Sequence, residues 1–156
     1  MNSEQEIWQA VVTSYYTHIE AISRFLTNDI DRVSILKKAL HSSDRNIAIQ
    51  TIHFLKPDEL KLLFEELVFF ASFSHGAVGA IRELIKTLPK EWVISHIERL
   101  AEPLLVNGTY DEYRRFLELY IEIDTELTKK LATRAIQSAD FDIREAGEDF
   151  LIKIGL

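Results

Sequence analysis

Five histidines, His18, His41, His53, His75 and His96, are the residues best suited to metal ligation or proton transfer. A metal site on a helix needs two ligands three or four positions apart, so that both side chains leave the same face. No histidine pair has that spacing. His18 with Glu20, and His96 with Glu98, are two positions apart and point about 200° away from one another on a helix. Adjacent carboxylates such as Glu65-Glu66 and Glu148-Asp149 are common on solvated helix faces. Gly76-x-x-Gly79 lacks the lysine and the preceding strand of a phosphate loop. With no cysteine in the chain, thiolate ligands, thiol nucleophiles and disulfides are all ruled out. The sequence therefore assigns no catalytic residue, no metal ligand and no cofactor.

Charge and hydropathy narrow the function classes further. The 156 residues carry a formal net charge of −7, which opposes nonspecific binding to phosphate backbones and anionic lipid. Trp8 and Trp92 fall on apolar stripes, where packing is expected rather than stacking on nucleobases. The start MNSEQEIW has acidic residues and no apolar run behind it, unlike a secretory signal. The longest apolar run, residues 67–73, is too short to span a bilayer. The expectation is a cytoplasmic protein that binds neither nucleic acid nor membrane, with its oligomeric state open.

The elements that position these residues are read from a recurring apolar stripe. The offsets 0, 3, 4, 7, 8 and 11, one face of a helix, recur four times. They begin at Ile47, Ala77, Tyr113 and Ile143. The last copy reads Ile143, Ala146, Gly147, Phe150, Leu151, Ile154. A period near 30–36 residues, with a second helix in each period, predicts stacked helical hairpins. The pairs are 30–40 with 44–55, 58–72 with 75–87, 90–106 with 110–123, and 125–138 with 141–154. Pro57 and Pro89 mark helix starts. Thr109 with Glu112 forms a capping box, and Asp124 and Asp140 are N-caps. Gly108 is expected to close a helix in the left-handed conformation, and Pro103 to kink one. Thr27-Asn28-Asp29 supplies a further cap. Residues 62–73 are apolar almost all round and read as a covered core helix, with Phe69 or Phe70 as an alternative partner floor. Residues 4–26 form a long helix whose stripe, Trp8, Val11, Val12, Tyr15, Ile19, Ile22 and Leu26, is expected to pack across the first repeat. Residues 1–28 are thus a capping segment and 29–156 four repeats of a single domain.

The fourth copy, Asp140-Phe141-Asp142-Ile143-Arg144-Glu145-Ala146 through Phe150-Leu151-Ile152-Lys153-Ile154-Gly155, resembles the second half of a HEAT repeat. The third copy keeps the pair Tyr113-Arg114, whereas Ala48 and Val78 replace the arginine in the first two. The resemblance covers roughly residues 30–156 and implies an all-α, right-handed superhelix of about four HEAT-like hairpins with an N-terminal capping helix. It also implies that Asp140 and Arg144, and more weakly Arg114, form a ladder between repeats. HEAT-like proteins mostly hold protein partners on the ridge of second helices. Some are enzymes: bilin lyases, deoxyhypusine hydroxylase and alkylpurine DNA glycosylases. The hydroxylase type uses repeated His-Glu dipeptides, which this chain lacks, and the glycosylase type needs a basic channel.

What remains is a noncatalytic adaptor, regulator or scaffold, with a bilin lyase or a self-assembling structural protein as alternatives. Its ridge is predicted from the stripe by a shift of phase. The rows are Ile49, Ile52, His53, Lys56; Gly79, Arg82, Glu83, Lys86; Arg115, Glu118, Leu119, Glu122; and Glu145, Glu148, Asp149, Ile152. The candidate partner-binding residues are Arg82, Lys86, Arg115, Glu118, Glu122, Glu145, Glu148 and Asp149. Lys56, Arg82 and Lys86 against Glu83 make the first half basic. Five acids against Arg115 make the second half acidic. The partner expected there carries a Lys/Arg-rich segment.

Overall fold

The structure is a computed structural model that describes residues 3–156. Met1 and Asn2, the first two residues of the expected capping segment, lie outside the described residues. The described chain is all-helical, with ten helices and no strand. It divides into two compact units, Met1–Lys56 and Pro57–Leu156.

The first unit holds α1 (Ser3–Thr27), α2 (Arg32–Leu40) and α3 (Arg45–Ile52). Its interior is formed by Leu36 and Leu40 of α2 with Ala48, Ile49, Thr51 and Ile52 of α3. The cap of α2 is Asp31, which accepts from the Ser34 amide at 3.0 Å, rather than the 27–29 segment. Two arginines close helix ends by the same device. The Arg32 guanidinium donates to the Leu26 and Asn28 carbonyls, each at 2.8 Å, and Arg45 donates to the Leu40 carbonyl at 2.8 Å. The last carbonyls of a helix have no intrahelical donor, and a cation there also meets the negative end of the helix dipole.

Two expectations fail in this unit. Ile47 and Phe54 were placed inward and Ile49 and Ile52 on the ridge, but the reverse holds. Isoleucine at 47, 49 and 52 offers two apolar faces, and α3 ends at Ile52, so the later offsets of the stripe fall beyond the helix. The stripe of α1 does not form a buried cap: no α1 residue is buried, and Trp8 is 63% exposed. A 25-residue helix extends about 37 Å, whereas α2 and α3 extend about 13 Å each. Two short helices cannot cover one long one.

The second unit contains α4 (Pro57–Leu62), α5 (Phe64–Ala71), α6 (Val78–Lys86), α7 (Lys90–Val106), α8 (Tyr110–Ile123), α9 (Thr125–Ala135) and α10 (Phe141–Lys153). The helix expected over 58–72 breaks at Leu63, whose amide bonds the Leu60 carbonyl three residues back at 3.0 Å. That tighter turn sends the Leu63 side chain fully inward. In 62–73 most side chains are buried, but Leu62 and Phe69 face solvent. Trp92 is half-buried, stacked on His96 with ring centres 4.1 Å apart. The pairs α5/α6, α7/α8 and α9/α10 pack as hairpins, with α5 also on α7 and α8 also on α9 and α10.

Local chemistry explains the ends of these helices. The Thr109–Glu112 capping box is present. Asp124 accepts from the Leu127 amide, and Asp140 from those of Asp142 and Ile143. Pro103 lies inside α7, which continues to Val106. Gly108 does not adopt the left-handed conformation; among the described residues only Gly155 does, at φ 85°. A Cβ on Gly108 would instead stand 2.6 Å from the Leu104 carbonyl, so glycine is required by close approach. The same holds more deeply at Gly147. A Cβ there would meet the Ala132 carbonyl and the Ala135 Cβ at 2.8 Å each, so α10 lies directly on α9 at that point.

Candidate functional site

All eight candidate ridge residues belong to α6, α8 and α10 of the second unit. Adjacent second helices are joined by ion pairs in a continuous row. Arg82 of α6 donates to Glu118 of α8 at 2.5 Å, and one turn later Lys86 donates to Glu122 at 2.5 Å. Arg114 of α8 then donates to Asp149 of α10 at 2.9 Å. Glu118 is the hub: Arg115 donates to its other oxygen at 3.0 Å, and Arg114 lies 3.8 Å away. The hub is partly shielded, with the Arg82 side chain 15% and the Glu118 side chain 27% exposed.

This arrangement changes the expected electrostatics. Glu118, Glu122 and Asp149 do not merge into an acidic patch, because cations of neighbouring helices neutralise them. Hydrogen bonds to Glu122 and then Glu83 raise the Lys86 ammonium above its ordinary pKa. The bond to Asp149 raises Arg114 in the same way, against its partial burial. Leu119, placed on the ridge by phase, is fully buried. Helix α8 packs against α7, α9 and α10, so its apolar arc is wider than a single stripe. Glu145 and Glu148 remain exposed on α10 with no cation within ion-pair distance among the described residues. Ile152, next along that face at helical spacing, is 72% exposed.

The implied ladder of Asp140 and Arg144 takes another form. Asp140 caps α10, while Arg144 donates to the Ser138 and Ala139 carbonyls at 2.9 and 2.8 Å, fastening the loop between α9 and α10 to the first turn of α10. Of the three residues in the implied ladder, Arg114 makes a bond that crosses between hairpins, to Asp149.

Two further sets of residues were missed. A second charge row joins α7 to α9, with Lys130 donating to Glu98 at 2.5 Å and Arg134 to Glu102 at 2.6 Å. Its signal was present: both pairs are 32 residues apart, with opposite charges at matching turns. Beneath it Tyr120 is buried, and that burial, reinforced by Glu98 and Glu102, pushes its hydroxyl far above the usual phenol range. The other set is Asp111, which accepts from the Ser74 amide at 2.7 Å and the Ser74 hydroxyl at 2.6 Å, tying the loop before α6 to the start of α8. Burial raises the Asp111 carboxyl, but the two bonds from Ser74 together with the Arg115 charge outweigh it and hold the group below its ordinary value. No local sequence pattern marks a contact between a loop serine and an aspartate 37 positions later.

Among the described residues no group of three His, Asp or Glu side chains is placed to hold a metal ion, and no helix is long and apolar enough to cross a membrane. Comparison with protein-family models, with curated proteins and with solved structures returned no match for this chain.

Proposed function

We propose that this chain is a noncatalytic protein-interaction module, acting in the cytoplasm, whose hairpins stack in the HEAT-like manner and offer the second-helix ridge to a partner. The supporting observation is the contrast along that ridge. From α6 to α8 the charges are matched internally, whereas on α10 Glu145 and Glu148 stand exposed without a cation and lead to the exposed Ile152. Two like charges one turn apart repel, and a docking cation relieves that repulsion. The partner is therefore a protein segment carrying Lys or Arg beside an apolar residue, bound at the α10 end and weakened by salt.

The test is affinity capture from native lysate with wild type and with Glu145→Lys/Glu148→Lys, at low and high salt. Neither glutamate is buried or paired, so the double variant should keep its helicity and melting midpoint. The expected outcome is a specific protein retained by wild type at low salt and lost to the variant. A partner held equally by both chains would overturn the α10 assignment.

A further inference from the structure

The first unit presents a surface unrelated to the ridge. The apolar face of α1 runs along Trp8, Val12, Tyr15, Ile19, Ile22 and Leu26, at alternating spacings of four and three. That is the seam of a two-stranded helical coil. Toward its C-terminal end Ile22 and Phe25 line one groove with Leu36 and Ala48 of the same unit. Toward its N-terminal end the seam is open. Ile7, Val11 and Tyr16 widen it, all more than half exposed.

The size of this face decides what can cover it. Aromatic side chains offer about 150–250 Å² each, so Trp8, Tyr15 and Tyr16, roughly two-thirds exposed, leave about 400 Å² uncovered. With the aliphatic residues the face approaches about 700 Å² per chain, and two such faces together reach about 1,400 Å², within the range of stable dimers. Charge then selects among occupants. A lipid surface prefers basic residues beside the apolar face. Here α1 carries Glu4, Glu6 and Glu20 against Arg24. By contrast one flank of the seam, Gln9, Tyr16 and Ser23, carries no charge. The other, Val11, His18 and Phe25, ends in the single carboxylate Glu4, which an antiparallel copy sets near Ser23 rather than against a second carboxylate.

The seam is also complementary to itself. About a two-fold axis between Thr13 and Ser14, Trp8 of one copy meets Ile19 of the other, and Val12 meets Tyr15. At these four central levels an apolar residue faces an apolar residue, as an isologous contact requires, and beyond them Ile22 comes opposite Gln5. We propose that two copies of this chain associate through α1 as an antiparallel helix pair centred between Thr13 and Ser14.

Sedimentation equilibrium of the full chain across the micromolar range should show a monomer–dimer equilibrium. Trp8→Glu/Tyr15→Glu should weaken it by at least about 100-fold, since central aromatic residues dominate such interfaces. Because neither side chain is buried, far-UV circular dichroism and the melting midpoint at low concentration should match wild type. The natural absence of cysteine gives a clean second measurement. Under oxidation, a Val12→Cys chain mixed with a Tyr15→Cys chain should form the mixed disulfide in preference to either homodimer. A monomer at every concentration, or a dimer indifferent to the two glutamates, overturns the proposal. A Val12→Cys chain that links mainly to itself overturns the antiparallel arrangement. Glu145→Lys/Glu148→Lys should leave the dimer unchanged, so failure here and failure at the ridge are read separately.

Discussion

The second unit carries two rows of ion pairs between hairpins, with nearly equal distances and unequal surroundings. The α6–α8–α10 row is drawn in toward the protein, with three arginines gathered on Glu118. The α7–α9 row stands in solvent, where the Lys130 side chain is 71% exposed. Water screens an exposed pair and leaves its long side chains mobile, so such a pair adds little to stability. A partly shielded hub is different: removing its anion strands several guanidinium groups that have lost some of their water. A bond length therefore does not rank these contacts, and shielding does.

The comparison is bounded from above by the core beneath the inner row. Ile81 is fully buried on α6, and Ile81→Ala should cost about 2–5 kcal/mol in urea denaturation. Leu151, expected at the equivalent depth in the last hairpin, is only half-buried, so its truncation should cost clearly less. Next comes Glu118→Ala, at about 2 kcal/mol, the loss of charged hydrogen bonds at a shielded site. If Glu118→Ala proved neutral, the inner and outer rows would be equivalent.

Acid offers a smaller and more specific probe. Asp111 is held below its ordinary carboxyl value of 3.8 in the folded chain. Its contribution is therefore fully present above that value and is lost as pH falls through the lower folded value. Asp111→Asn should lower stability at neutral pH and flatten the loss of stability on acidification below about pH 4. An unchanged acid limb would mean that the Ser74 bonds and the Arg115 charge together do not outweigh burial. The smallest effect belongs to the outer row: Lys130→Ala should move the unfolding free energy by no more than about 0.5 kcal/mol, at low and high salt alike. A larger, salt-sensitive loss would erase the distinction between the rows.

What the sequence made legible follows the strength of local signals. Helices α7, α8 and α10 were placed to within a residue or so. Helices α8 and α10 have a periodic stripe and a capping side chain at the start, and α7 is bounded by Pro89 before it and Asn107-Gly108 after it. The break at Leu63 was not legible, since a run of apolar residues hides a change of turn. The phase of α3 failed for a related reason, isoleucines on two faces of an eight-residue helix. On the ridge, Arg82 and Lys86 were set in a basic half and Glu118 and Glu122 in an acidic one, whereas the structure places each cation on a carboxylate 36 positions later. Their pairing was missed because row-by-row charge counting ignores which groups of adjacent helices touch. The openness of α1 was illegible in principle: a stripe states that a face is apolar, not that anything covers it.

Gly147 also constrains how the last hairpin finds its partner alignment. A slip of α10 by one residue along α9 would bring Ala146 or Glu148 to a slot whose walls stand 2.8 Å from where any Cβ would lie. The methyl group would collide there, and the carboxylate would be trapped without water. A stripe of alternating large side chains tolerates neighbouring alignments almost equally, whereas a slot that accepts one hydrogen atom accepts one alignment. The residue with the smallest side chain thus acts as an index pin, admitting one alignment of α10 on α9.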